Sequence, residues 1–136
     1  MIIPTIEKRI CSRFKIPNAR VKFKNSGFLS PLRFFSRSCV LINISKAGLG
    51  FMYKKKLPYN CKIIIKVLIP KIKPLFLKGR VRWQEQKKRG TYTSIGVEFV
   101  PFGKSIGCNS LDALQILRDL ETQYAEEQIT PSAMLR

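Results

Sequence analysis

Ser38-Cys39-Val40-Leu41-Ile42-Asn43-Ile44-Ser45-Lys46-Ala47-Gly48-Leu49-Gly50-Phe51-Met52-Tyr53 decides how the chain is read. Residues 38–42 form a short apolar run of the kind that becomes a buried strand, and residues 49–53 resume the pattern. Between them stand an amide, a hydroxyl and a glycine at the spacing N-x-S-x-x-G: Asn43, Ser45 and Gly48. A turn this tight calls for a residue able to take φ > 0, and Gly48 is expected to supply it. Asn43 and Ser45 are two apart, so on a strand they project to one face and would form a hydrogen-bonding patch beside exposed turn amides. An ordinary hairpin, whose Asn and Ser bond their own backbone, would look the same.

Toward the N-terminus, Lys8-Arg9-Ile10-Cys11-Ser12-Arg13 sets two guanidiniums four residues apart. On an extended chain Arg9 and Arg13 share a face roughly 13 Å apart. On a helix they are neighbours, roughly 6 Å apart along the axis. Guanidinium forks suit phosphate oxygens and the O6/N7 edge of guanine, with a bidentate geometry that lysine lacks. A solvated basic tail has the same composition.

Taken together, and in this order, the two motifs resemble those of the PilZ domain family, which carries R-x-x-x-R in an N-terminal arm and D/N-x-S-x-x-G at a strand end. The matching residues are Arg9 and Arg13, then Asn43, Ser45 and Gly48. Downstream, Leu77-Lys78-Gly79-Arg80-Val81-Arg82-Trp83 is similar to the family's "GRVVW"-type strand, and Ile95-Gly96-Val97-Glu98-Phe99 to its "IGVRF"-type strand. The resemblance covers roughly residues 7–125.

The remaining segments read from their own periodicity. Residues 1–18, bracketed by Pro4 and Pro17, keep no single period and read as a flexible arm with little in it to bury. Residues 19–24 alternate, with Val21 and Phe23 inward and Arg20, Lys22 and Lys24 outward. Residues 61–69 place Ile63, Ile65 and Val67 inward, with Lys62 and Lys66 facing out. Residues 75–84 place Leu75, Leu77, Gly79, Val81 and Trp83 on the core face, and residues 91–100 turn Thr93, Ile95, Val97 and Phe99 inward. Six short strands joined by tight turns describe a small antiparallel β-barrel better than an open sheet, because closure removes the edges. A C-terminal helix over about residues 109–127 follows, with Asn109 as N-cap and Asp112 three residues on. Its apolar stripe is Ala113, Ile116, Leu117, Leu120 and Tyr124, and it either closes the barrel mouth or packs on its wall. Thr130-Pro131 is expected to end it, leaving residues 128–136 as a tail. The domain proper is thus residues 19–127. Residues 28–35 interleave Phe28, Phe34 and Phe35 with Pro31 and Arg33. Base stacking, membrane-surface contact and a loop capping the core all fit that composition.

At 136 residues the chain suits one domain with one core. It carries 26 basic and 8 acidic side chains for a net charge of +18. Residues 1–104 hold 24 basic and 3 acidic of these, so the body is strongly basic and a polyanionic partner is implied. The chain has no histidine, which excludes Ser-His-Asp triads, Cys-His dyads and His-ligated zinc. Cys11, Cys39, Cys61 and Cys108 are too widely spaced for C-x-x-C sites and read as free thiols of a reducing cytoplasm. No apolar run approaches the ~20 residues of a membrane span, and the first residues lack a signal-peptide pattern. There is no nucleophile–base pair, no paired carboxylates and no phosphate loop, so no enzyme, metal or cofactor is expected.

The resemblance implies a receptor for cyclic di-GMP. In it, Arg9 and Arg13 would clamp phosphates and guanine Hoogsteen edges, and Asn43 and Ser45 would bond a guanine edge. Gly48 would let the backbone approach, Lys8 would add charge, and Trp83 would either line a base or pack in the core. Ligand would order the arm and the signal would pass to an effector protein. A nucleic-acid-binding barrel and a PilZ-like interaction module without a ligand are the alternatives. Against the former, the aromatic residues fall mostly at inward positions.

Overall fold

The computed structural model describes residues 12–26, 34–86 and 90–134, with residues 126–134 as helix backbone. All six expected strands form: β1 (Arg20–Asn25), β2 (Cys39–Ile44), β3 (Gly48–Tyr53), β4 (Lys62–Leu68), β5 (Leu75–Gln86) and β6 (Thr93–Phe99). They are followed by one helix, α1 (Leu111–Met134). Every strand pairing is antiparallel, and the sheet closes in the order β1-β2-β3-β6-β5-β4. Alternation does what the sequence requires of it. Val21, Phe23, Phe51, Ile63, Ile65, Val67, Leu77, Val81, Ile95 and Val97 fill the interior, while the lysines and arginines of β1 and β4 face out. Phe23 stacks tilted on Phe51 at 5.2 Å and edge-on to Tyr53 at 4.8 Å.

Closure between β1 and β2 is short, with Arg20 opposite Val40 and Val21 opposite Cys39. Beyond that seam, the segment before β1 completes the edge. Phe14 and Ile44 exchange both backbone hydrogen bonds, each 2.9 Å. The expectation that little of the arm can be buried therefore does not hold for Phe14 and Ile16, which are both in the core. Arg9, Lys8 and the rest of residues 1–11 lie outside the described residues, as do residues 27–33.

Two β-bulges shift the pattern within strands. In β2, Leu41 pairs with Phe51 but Asn43 pairs with Gly50, so Ile42 is the extra residue. In β5, Val81 pairs with Val97 but Trp83 pairs with Gly96, so Arg82 is the extra residue. Trp83 is thereby rotated out of the core face on which strict alternation would place it, and it is 42% exposed.

The helix start also differs from expectation. Ser110 is the N-cap, its Oγ accepting from the Ala113 N–H at 3.0 Å. Asn109 is buried instead. Its Oδ1 accepts from the Lys78 N–H at 2.7 Å, and its Nδ2 donates to the carbonyls of Lys78 and Val100 at 3.0 and 3.1 Å. The amide thus ties the chain entering α1 to β5. Ala113, Leu117 and Leu120 are buried beneath the helix, whereas Ile116 is left largely exposed. The helix runs on through Pro131 to Met134, past the Thr130-Pro131 step expected to end it.

Candidate functional site

The bridge between Phe14 and Ile44 brings the two sequence motifs together. Arg13 precedes Phe14 and is exposed, while Asn43 and Ser45 flank Ile44 on β2 and the turn after it. Thus the second arginine of R-x-x-x-R stands beside N-x-S-x-x-G because a phenylalanine anchors the chain there. The first arginine, Arg9, and Lys8 are not among the described residues.

Within N-x-S-x-x-G the three residues do separate jobs. Ser45 Oγ accepts from the N–H groups of Ala47 and Gly48 at 3.0 and 3.3 Å, and the Ser45 N–H donates to the Gly48 carbonyl at 2.8 Å. The turn amides are therefore engaged by the serine, and Ser45 is buried. It does not share a joint exposed patch with Asn43. Gly48 does not adopt positive φ; among the described glycines only Gly107 does. What Gly48 supplies is room, since a Cβ there would collide with the Val97 carbonyl oxygen on β6. Strand approach, not turn geometry, requires the glycine.

Asn43 is turned outward by the β2 bulge. Its Oδ1 is buried and has no hydrogen-bond partner, an unfavourable state for an amide carbonyl. Next to it Gly50 is bare, and a Cβ on Gly50 would lie 3.5 Å from that oxygen. The register continues across the sheet from Gly50 to Gly96 and from Gly96 to Trp83. A single row over β2, β3, β6 and β5 therefore reads Asn43, Gly50, Gly96, Trp83 on the outer face of the barrel. The Trp83 indole lies across Gly96, occupying the space that a Cβ there would need. An unpaired acceptor, two buried glycines and an aromatic wall over Gly96 make a shelf along this row.

Gly50 and Gly96 were missing from the sequence-level set of site residues. Their signal was present in Gly48-Leu49-Gly50 and Ile95-Gly96-Val97, because glycine on the outer face of a central strand marks close approach by another group. At the shelf's end, Arg82 donates through Nε to Glu98 at 2.6 Å. That hydrogen bond to the carboxylate raises the guanidinium's pKa above its ordinary value. Lys46, inside the motif, reaches Glu121 of α1 at 3.9 Å, which links the motif turn to the helix. Among the described residues no cluster of His, Cys, Asp or Glu could hold a metal, and no helix is long and apolar enough to cross a membrane.

The structure of Bacillus subtilis inhibitor of motility (MotI/DgrA) superposes with a TM-score of 0.59 at 12% identity, over 85% of this chain and 50% of that one. At such identity the likeness concerns the fold, and this chain spans half the length of that protein. No curated protein sequence matches the chain. The family profile of the PilZ domain matches residues 10–112, from just after Arg9 through the rest of the arm and the barrel to the helix start. The chain therefore belongs to the PilZ domain family, whose members are non-catalytic receptor and adaptor modules of cyclic di-GMP signalling.

Proposed function

We propose that this domain binds cyclic di-GMP on the shelf formed by Asn43, Gly50, Gly96 and Trp83, with Arg9 and Arg13 closing over it. The observation that carries this reading is the orphaned Asn43 Oδ1. A buried carbonyl without a partner costs about 1–3 kcal/mol, and a guanine amino group would relieve it. Gly50 leaves the base room to lie against the sheet, and Trp83, lying over Gly96, offers it an apolar edge. Arg9 and Arg13 supply the phosphate and O6/N7 contacts, worth about 1.5–3 kcal/mol for each charge-assisted bond. Ser45 and Gly48 act by holding the turn and the strand approach that set Asn43 in place, and Lys8 adds charge.

Phe14 is the fixed point of the ligand-binding arm (residues 1–18), from which its first part, residues 1–13, closes onto the shelf. Closure alters the surface around Asn43 and, through Lys46 and Glu121, the setting of α1. An effector protein that reads this surface completes the signal.

The test is calorimetric titration of cyclic di-GMP into the wild-type chain, an Arg9→Ala/Arg13→Ala variant and an Asn43→Ala variant. Micromolar or tighter binding is expected for wild type, none for the arginine variant, and a loss of about tenfold or more for Asn43→Ala. No heat with wild type would sink the second-messenger reading and leave a ligand-free interaction module.

A further inference from the structure

The order of strands round the barrel puts β4 opposite β3 and β5 opposite β2, so the face made by β1, β4 and β5 looks away from Asn43 and Gly48. Its cross-strand rows are Lys22–Lys66–Phe76 and Lys24–Ile64–Lys78. The outward side chains are thus ammonium groups interleaved with apolar groups. Phe35 joins them from the segment before β2, with its ring 6.2 Å from that of Phe76. Lys24 Nζ stands 4.9 Å over the Phe35 ring, and Lys66 Nζ is 5.7 Å from both rings. The apolar groups are not withdrawn from water: Phe34 is 81% exposed, Phe76 54% and Ile72 44%. On this face, then, aromatic rings stand outward among lysines.

No acidic side chain occurs in the sequence between Glu7 and Glu85, so β1, β4 and the first half of β5 carry no counter-charge of their own. The described ion pairs, Lys46–Glu121 and Arg82–Glu98, lie elsewhere. The β4–β5 hairpin adds a further sign. Its tip, Pro70-Lys71-Ile72-Lys73-Pro74, holds Lys71 at φ 72°, a left-handed conformation that glycine or asparagine would take more easily. Beside the tip runs an open groove of about 470 Å³, with Arg20 and Lys22 on one side and Leu68, Pro70, Ile72 and Pro74 on the other.

We propose that this face docks the domain on an anionic phospholipid bilayer, with the lysines over the headgroups and Phe34, Ile72 and Phe76 in the interfacial layer. A cationic surface with exposed apolar groups and no acid is complementary to such a membrane in both respects. Single-stranded nucleic acid matches it less well. The ring faces that bases would stack on already carry lysine ammonium groups, and a phosphodiester chain has no use for Ile72 and Leu68. An acidic protein would need carboxylates placed to meet individual lysines, whereas Lys24 and Lys66 rest on rings and are not oriented by hydrogen bonds. The face centres on β4, across the barrel from the shelf's β3, and shares only β5 with it, where Phe76 lies seven residues before Trp83; docking through this face does not depend on cyclic di-GMP.

The experiment is co-sedimentation of the full chain with phosphatidylcholine vesicles, with and without phosphatidylglycerol. Variants are Lys22→Glu/Lys66→Glu, Phe34→Ala/Phe76→Ala and, as a charge control on the far side, Lys54→Glu/Lys55→Glu; circular dichroism checks that each is folded. Binding is expected only with phosphatidylglycerol. The Lys22/Lys66 variant should lose more than about tenfold in partitioning, the phenylalanine variant several-fold, and the control much less than either. Three results would overturn the proposal: no binding to anionic vesicles, an equal loss in the control, or tighter binding of a single-stranded oligonucleotide abolished by the phenylalanine changes.

Discussion

Gly48 illustrates how a single residue can look like one kind of constraint and be another. Its conformation is open to any amino acid, yet the Val97 carbonyl occupies the volume a methyl group would need. Backbone cannot move aside as the end of a flexible side chain can. Gly48→Ala is therefore expected to cost about 2 kcal/mol or more of folding stability, read as a lowered midpoint in urea denaturation. An unchanged midpoint would show that the β3–β6 approach adjusts freely. Asn43 makes the opposite case. Its side-chain carbonyl accepts no hydrogen bond, so that oxygen detracts from stability instead of adding to it.

At the scale of elements, the two bulges and the helix junction do the organising. The extra residues Ile42 and Arg82 each rotate the following side chain from the interior to the outer face, which is how Asn43 and Trp83 come to share one row. The helix is attached through Asn109, whose three hydrogen bonds to Lys78 and Val100 are made in a buried setting. Replacing it with alanine would take the partner from the Lys78 N–H and from the Val100 carbonyl, while the Lys78 carbonyl keeps the Val100 N–H at 3.0 Å. Asn109→Ala should therefore cost about 2–3 kcal/mol by thermal or denaturant unfolding. A cost below about 0.5 kcal/mol would mean that water replaces the amide and that α1 is attached by its apolar face alone.

For the whole molecule, the decisive quantity is the net charge of +18 on a body where cations greatly outnumber acids. Self-repulsion of this kind weakens the compact state and is screened by salt. Raising sodium chloride from low to moderate concentration should therefore increase the melting temperature by a few degrees in a thermal-shift scan. A flat or falling curve would show that repulsion between the basic strands is already relieved within the fold. The same distribution separates two surfaces: a shelf with oriented hydrogen-bonding groups on one side, and an interleaved lysine and phenylalanine face on the other.

The fold was legible in the chain because strand alternation is local. Val21 and Phe23, or Leu75, Leu77 and Val81, announce the buried face without knowledge of any partner. The motif residues Arg13, Asn43, Ser45 and Gly48 were legible too, as spacings that resemble a family. Their physical roles were not. A bulge exists only relative to a facing strand, so no local pattern could turn Asn43 and Trp83 outward. The need for glycine at 48 is set by a carbonyl on β6, far away in sequence. The burial of Phe14 depends on an unpaired stretch of β2 edge, which appears only when the barrel closes with a short β1–β2 seam. The sequence by itself determined six strands, a C-terminal helix and a strongly basic exterior. Tertiary structure decided which residues meet, because register and close approach belong to pairs of strands and not to either strand alone.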